Sequence, residues 1–148
     1  MAQDVVLRLL DANLNRAREG FRVLEDTARF LFSHKLLFQA LRKERHALDK
    51  ITRKNYPQLV DSRDAETDAG ANMEEESNRQ HLGNLIAANF RRCEESLRVL
   101  EEYGKVFEPG SSADFKRVRF RTYTLEKKTM ALYAKFWGMK YSHETEKR

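Results

Sequence analysis

Residues 12–26 read ANLNRAREGFRVLED, and residues 88–102 read ANFRRCEESLRVLEE. The second stretch follows the first at an offset of 76 positions. The identical pairs are Ala12/Ala88, Asn13/Asn89, Arg16/Arg92, Glu19/Glu95, Arg22/Arg98, Val23/Val99, Leu24/Leu100 and Glu25/Glu101. A self-match of this length at one offset predicts two copies of a single structural unit.

Both copies carry an apolar stripe at helical spacing, about 100° of rotation per residue. The first stripe consists of Val6, Leu10, Leu14, Ala17, Phe21, Leu24, Ala28 and Leu31. The second consists of Leu82, Ile86, Phe90, Cys93, Leu97, Leu100, Gly104 and Phe107. Further apolar or small residues, Val23, Thr27, Phe30, Val99 and Tyr103, widen the two arcs. Arcs this wide indicate that each helix has neighbours on more than one side.

Polar side chains recur at equivalent places in these arcs. Asn13 and Asn89 fall inside them, while Arg16 and Arg92 lie at their edges. A polar group in an apolar arc is costly unless it finds a partner. The repeated pair therefore predicts either a built ligand site or hydrogen bonds that fix the register of the helices.

The composition is that of a soluble helical domain. The chain has 148 residues with only 6 Gly and 2 Pro, which disfavours a loop-rich or all-β fold. It has no apolar run of about 18 residues, so we expect no membrane span. Cys93 is the only cysteine, which excludes an intrachain disulfide and fits a cytoplasmic location.

The charge balance points to a small anionic ligand. The chain carries 28 Lys and Arg against 23 Asp and Glu, a formal net charge of +5. A nucleic-acid-binding protein more often shows a basic patch on one face. The charge therefore fits an anionic small molecule, such as a phosphate ester, at least as well as nucleic acid, and we expect no nucleic-acid partner.

The periodicity predicts an all-α four-helix bundle with an internal pseudo-twofold repeat. It consists of two long hairpins, residues 4–54 and 78–137, in a single domain, residues 1–140, followed by a tail, residues 141–148. The predicted helices span 4–32, 35–54, 74 or 78 to 107, and 113–137. Asp4 and Ser112 are the expected N-caps, and Tyr56-Pro57 is expected to end the second helix.

The acidic stretch 57–77 is predicted to be a loop, and loops of this length are usually functional or disordered. It fails as a calcium loop, because Gly70 stands seventh rather than sixth when counted from Asp64. Arg63 and Asp64, with Asp68 four residues on, favour a pairing of phosphate and Mg²⁺ instead. The alternative is a mobile acidic linker.

Several familiar sites are excluded. The sequence has no G-x-x-x-x-G-K-[ST] or G-x-G-x-x-G motif, no Glu-x-x-His and no cysteine pair. The remaining arginine, asparagine and carboxylate residues suit phosphoryl transfer, or a pericyclic or lyase reaction on a small dicarboxylate. Acidic and basic residues of the repeat, Glu19, Arg22, Glu25, Asp26, Arg98 and Glu102, also fit ordinary ion pairs on the outer helix face. His46 lies near the apolar side of the second helix, where a structural role is the more common one.

Four segments in order resemble a known family. They are residues 11–26, residues 41–46 (LRKERH), Ser62-Arg63-Asp64 with Asp68-Ala69-Gly70, and residues 88–102. They resemble the alternative, non-ribokinase hydroxymethylpyrimidine phosphate kinases, small helical domains often fused to thiamin phosphate synthase. The resemblance covers about residues 5–130, with Ala69 where the family pattern has Val.

The resemblance implies an ATP-dependent kinase of thiamin biosynthesis that converts 4-amino-5-hydroxymethyl-2-methylpyrimidine phosphate to the diphosphate. ATP and Mg²⁺ would be its cofactors. Read onto this chain, the catalytic residues are Arg16, Arg63, Asp64 and Arg92; substrate contacts are Asn13, Glu19, His46, Asn89 and Glu95; and Asp64 and Asp68 hold the metal. A homodimer and an association with thiamin phosphate synthase are compatible with it. The alternative is a non-catalytic module that binds a thiamin-pathway enzyme or a phosphorylated metabolite.

Overall fold

The computed structural model describes residues 2–74, 79 and 81–146, with side chains up to Trp137. The helices are α1 Ala2–Asp26, α2 Lys35–Thr52, α3 Tyr56–Ser62, α4 Leu82–Phe107 and α5 Pro109–Glu146. A π-helical turn, Thr27–Leu31, follows α1, and a 3₁₀ turn, Arg53–Asn55, joins α2 to α3. Within these ranges no helix has the length and apolarity needed to cross a lipid bilayer.

The long helices form a closed ring of four. Helix α1 packs against α2 and α4, and α5 packs against α4 and α2, while the short α3 lies on α1. The hairpins are thus α1–α2 and α4–α5, and the predicted all-α bundle is confirmed. The two apolar stripes meet inside this ring, where Phe21 and Phe90 are fully buried. Burial of each such side chain contributes about 1.5–3 kcal/mol.

The two repeated helices touch at equivalent residues. The Cys93 sulfur lies 3.5 Å from the carbonyl oxygen of Ala17, and these two residues are counterparts in the repeat. A pseudo-twofold axis therefore passes through this contact. Gly20 permits the close approach, because a Cβ atom there would lie 2.6 Å from the Cys93 sulfur. Burial also raises the pKa of the Cys93 thiol, which fits its structural role.

Each hairpin contains the same buried ion pair. Glu25 of α1 accepts hydrogen bonds from Arg45 of α2 at 2.5 and 3.1 Å. Its counterpart Glu101 of α4 accepts from Arg119 of α5 at 2.9 Å. Both glutamates are buried, and these hydrogen bonds raise the pKa of each arginine. The alternative of an outer-face ion pair is therefore wrong for Glu25, which joins two helices.

Other ion pairs follow the expected surface pattern or link the hairpins. Arg98 lies 3.1 Å from Glu101 and 2.8 Å from Glu102, three and four residues along α4. The buried Glu44 of α2 accepts a 2.8 Å hydrogen bond from Arg121 of α5. That bond fixes how the second helices of the two hairpins face each other.

The end of α1 differs from the prediction. Leu31 was expected on the buried stripe, but it is 40% exposed, and Phe32 is buried in its place. The π-helical turn over Thr27–Leu31 explains the difference, because its extra residue per turn shifts the side chains around the axis. Ser33 then reverses the chain with a left-handed φ of 48°.

The start of the acidic loop also differs. Pro57 was expected to end the second helix, but it lies in the first turn of α3. Proline is tolerated there because an N–H group in the first turn has no hydrogen-bond acceptor within the helix. The beginning of the predicted loop 57–77 is therefore helical as far as Ser62. The third long helix was predicted to begin at Glu74 or Asn78. Residues 75–78 and 80, and with them Asn78, lie outside the described residues. Glu74 is not helical, and α4 begins at Leu82.

The expected N-caps and the tail need correction as well. Helix α1 begins at Ala2, so Asp4 lies in its first turn, where a carboxylate interacts favourably with the helix dipole. Helix α5 begins at Pro109, ahead of the predicted cap Ser112. Its helical backbone continues to Glu146, through most of the predicted tail, after a kink at Trp137 (φ −131°, ψ 16°).

Candidate functional site

A groove between α1 and α4 brings the two repeated arginines together. It has a volume of about 480 Å³, and we call it the arginine groove. It is lined by Asn13, Arg16, Arg79, Ala88, Arg91, Arg92, Glu95, Ser96 and Val99. Equivalent residues of both copies meet there because α1 and α4 cross at the pseudo-twofold contact. Four guanidinium groups beside one carboxylate favour the binding of an anion, because arginine forms bidentate hydrogen bonds with phosphate oxygens.

Asn13 orients one of these arginines. Its amide nitrogen donates to the carbonyl oxygen of Leu9 at 2.9 Å, one helical turn earlier. The amide oxygen then accepts a 3.4 Å hydrogen bond from Arg16. Asn89 donates to the Leu85 carbonyl oxygen at the same distance of 2.9 Å. Both asparagines thus bond to their own helix, and the expectation of hydrogen bonds between helices is not met by these contacts.

A second groove, of about 380 Å³, lies between the first half of α1 and the acidic loop, and we call it the loop groove. Its lining residues are Val5, Arg8, Leu9, Asp11, Ala12, Asn15, Arg63, Asp64, Ala65, Asp68 and Ala69. Arg63 forms a two-pronged pair with the buried Asp11, at 2.8 and 2.9 Å. These bonds raise the pKa of Arg63 and hold the loop on α1.

The two loop carboxylates make local turn contacts. Asp64 accepts hydrogen bonds from the backbone N–H and the hydroxyl of Thr67, which lower its pKa. Asp68 accepts from the Gly70 N–H at 2.7 Å. The described residues contain no cluster of three or more His, Cys, Asp or Glu suited to a metal ion. Binding of Mg²⁺ by Asp64 and Asp68, and of ATP, stays a prediction from the resemblance.

The predicted composite site is therefore divided between two grooves that share α1. Ala12 and Asn15 line the loop groove, while Asn13 and Arg16 line the arginine groove. Because consecutive residues on a helix point in directions about 100° apart, the two grooves lie on adjacent faces of α1.

Three predicted substrate residues line neither groove: Glu19, His46 and Asn89. His46 is exposed on α2 and accepts a 3.4 Å hydrogen bond from Arg42. It lies two residues from both Glu44 and Leu48, which are buried, and so points to the opposite side of the helix. Its expected position near the apolar side is therefore wrong.

Sequence reasoning missed a buried carboxyl group and its carboxyl neighbour beside the arginine groove. Glu94 of α4 is buried, and Glu126 of α5 faces it. Burial first, and then the charge and hydrogen bond of Glu126, raise the pKa of Glu94 to about 8. One sequence feature could have indicated this site: the first repeat has a positive residue, Arg18, where the second has the negative Glu94.

Comparison with known proteins identifies the family. Residues 8–128 match the ThiD2 family. The thiamine-phosphate synthase of Nostoc punctiforme is 40% identical over 130 residues, which cover 86% of this chain and 36% of that protein. The thiamine-phosphate synthase of Rhodopirellula baltica is 41% identical over 121 residues, 80% of this chain and 32% of that protein. The chain thus spans about a third of the length of these relatives. No solved structure gives a significant match.

These relatives correct the predicted reaction. They are named for the synthesis of thiamine phosphate, which is a different step from the kinase reaction that the resemblance implied. The predicted hydroxymethylpyrimidine phosphate kinase is therefore wrong by this comparison, and the non-catalytic module is not favoured either. What agrees is the coarser expectation of a helical thiamin-pathway domain related to thiamin phosphate synthase.

The match covers most of the helical bundle, including both repeats, the arginine groove and all of the loop groove except Val5. The chain belongs to the ThiD2 family.

Proposed function

We propose that this chain acts in the synthesis of thiamine phosphate, as a transferase domain whose arginine groove holds the phosphate group of a reactant or product. The observation that carries the proposal is the meeting of Arg16 and Arg92, the same position of the two repeats, in one groove with Arg79 and Arg91. A phosphate group between such side chains is bound by charge and by two-pronged hydrogen bonds.

The relatives support the chemical class of the ligand. Their name states a phosphorylated product, thiamine phosphate. In a group transfer, positioning of the phosphorylated compound and neutralisation of its charge lower the barrier without a nucleophile from the protein. The buried thiol of Cys93 is accordingly not needed as one.

Isothermal titration of the purified protein with thiamine phosphate, and with thiamine lacking the phosphate, tests the proposal. Thiamine phosphate should bind at least about tenfold more tightly, because a charge-assisted hydrogen bond contributes about 1.5–3 kcal/mol. Arg92→Ala should remove most of this preference. Arg22→Ala is the matched control, since Arg22 belongs to the same repeated motif, is exposed and lines neither groove.

Two results would contradict the proposal. One is equal affinity for thiamine and thiamine phosphate in the wild-type protein. The other is a preference for thiamine phosphate that both Arg16→Ala and Arg92→Ala leave intact, which would make the two arginines structural.

A further inference from the structure

A carboxyl pair, the buried Glu94 and the half-buried Glu126, adjoins the arginine groove. Glu94 stands on α4 between Arg91 and Glu95, which both line that groove. Glu94 is only 8% exposed, and the carboxyl group of Glu126 on α5 lies close enough to raise its pKa. Two carboxyl groups can share a hydrogen bond only while one of them is protonated.

The surroundings of Glu94 do not satisfy a full negative charge. Its Oε2 atom is buried and has no hydrogen-bond partner among the described residues. The charged groups that act on it are Glu126 from α5 and Arg91 and Glu95 from α4 itself. Helix α1 packs against α4 at Cys93, and none of the charged groups that act on Glu94 belongs to α1. Arg91 is thus the cation in this group, and it also lines the arginine groove.

We infer that the protonation of the Glu94–Glu126 pair regulates anion binding in the arginine groove through Arg91, an inference that rests on the proposed function of that groove. While the pair holds a proton, the guanidinium group of Arg91 remains available to bind an anion in the arginine groove. When the proton is lost, a second negative charge lies three residues from Arg91 on the same helix, a spacing that brings side chains together. Arg91 then contributes less to anion binding, and the potential in the groove becomes less positive.

The titration falls in an accessible range. Burial and the neighbouring Glu126 raise the pKa of Glu94 to about 8, so that the pair changes charge between mildly acidic and mildly alkaline solution. The arginines of the groove keep their charge throughout this range.

Sulfate is the suitable probe, because it is a divalent anion throughout this range whereas inorganic phosphate itself titrates. Isothermal titration with sodium sulfate at constant ionic strength should give a Kd that rises about fivefold from pH 6.5 to pH 9 in the wild-type protein. Glu94→Gln removes the titrating group and should hold the change below about twofold. Glu126→Gln removes a carboxyl group that raises the pKa of Glu94 but leaves Glu94 buried, so it should move the change in Kd to lower pH without abolishing it. It gives a second variant if Glu94→Gln does not fold.

Glu102→Gln is the matched control, since Glu102 is an exposed glutamate of α4 whose pKa is lowered by Lys105 and Arg98. It should keep the fivefold change. The coupling is wrong, while the proposed function stands, if sulfate binding is lost in Arg92→Ala but does not depend on pH in the wild-type protein. It is also wrong if Glu94→Gln keeps the pH dependence or if Glu126→Gln leaves its midpoint unchanged. If sulfate fails to bind at either pH, the anion site fails, and the coupling fails with it.

Discussion

The α1–α2 and α4–α5 hairpins keep the same buried ion pair but carry different charges two helical turns away. Glu25–Arg45 and Glu101–Arg119 each join the two helices of a hairpin. Seven residues earlier, Arg18 of the first hairpin pairs with Asp49 at 3.3 Å. At the counterpart position of the second hairpin, Glu94 faces another carboxyl group, Glu126.

This difference separates what holds the bundle together from what distinguishes its two halves. The retained pair lies deep between helices, where the loss of either partner would leave a buried charge without compensation. The altered pair lies beside the arginine groove in one repeat only. The first hairpin therefore has an ordinary ion pair where the second has a carboxyl group whose pKa is raised to about 8.

The largest expected effect comes from breaking the retained pair. Glu25→Ala leaves Arg45 without its buried partner and should lower the free energy of unfolding by about 3–5 kcal/mol. Glu101→Ala should have a similar effect through Arg119. Urea unfolding followed by circular dichroism measures both. Glu102→Ala changes an exposed neighbouring residue and should lower the free energy of unfolding far less. Equal losses in all three variants would show that the buried pair has no special role.

The next effect concerns the crossing of α1 and α4. Gly20→Ala places a Cβ atom 2.6 Å from the Cys93 sulfur and 3.3 Å from the Asn89 carbonyl oxygen. Overpacking of this kind costs about 1–3 kcal/mol. The double variant with Cys93→Ala should recover part of the loss, because it removes the nearest atom. Additive losses in the double-mutant cycle would show that the glycine is not required by this contact.

The repeat and its periodicity predicted the bundle because both are properties of residues close in sequence. Internal self-similarity placed Arg16 and Arg92 at equivalent positions, and the antiparallel crossing of equivalent helices then placed both in one groove. Helix ends such as Pro57 were harder to predict, because a proline can end one helix or begin the next, and tertiary packing decides between them.

The division of the candidate site was not predictable from spacing. Arg63 was expected to bind phosphate, yet its guanidinium group donates a hydrogen bond to Asp11, which is 52 residues away in the sequence. The sequence contains both residues but does not state that they meet. The Glu94–Glu126 pair depends in the same way on how α4 and α5 are aligned, and on burial that no local pattern reports.

A pH titration sharpens the comparison between the hairpins. The folded-state pKa of Glu94 is about 8, above the ordinary glutamate value, so its contribution to stability is complete below about pH 4.5 and is lost as the pH rises through 8. From pH 6 to pH 9 the free energy of unfolding of the wild-type protein should fall by on the order of 2 kcal/mol. The free energy of unfolding of the Glu94→Gln variant, measured by urea unfolding at each pH, should fall much less over the same interval. If the free energies of unfolding of the two proteins fall equally with pH, the raised pKa does not belong to Glu94.

The smallest effect is expected at the counterpart position in the first hairpin. Arg18 and Asp49 are 37% and 33% exposed, and a pair in contact with water contributes about 0.2–1 kcal/mol. Arg18→Ala should therefore lower the free energy of unfolding by less than about 1 kcal/mol, by an amount that shrinks further in 0.5 M NaCl, and should leave the shape of the pH curve unchanged. The informative variant is Arg18→Glu, which gives the first hairpin the residue that the second carries. With Asp49 in place of Glu126 and more water around it, the new carboxyl should titrate well below 8; a second transition near pH 8 would instead show that the backbone position, rather than burial against α5, raises the pKa of Glu94.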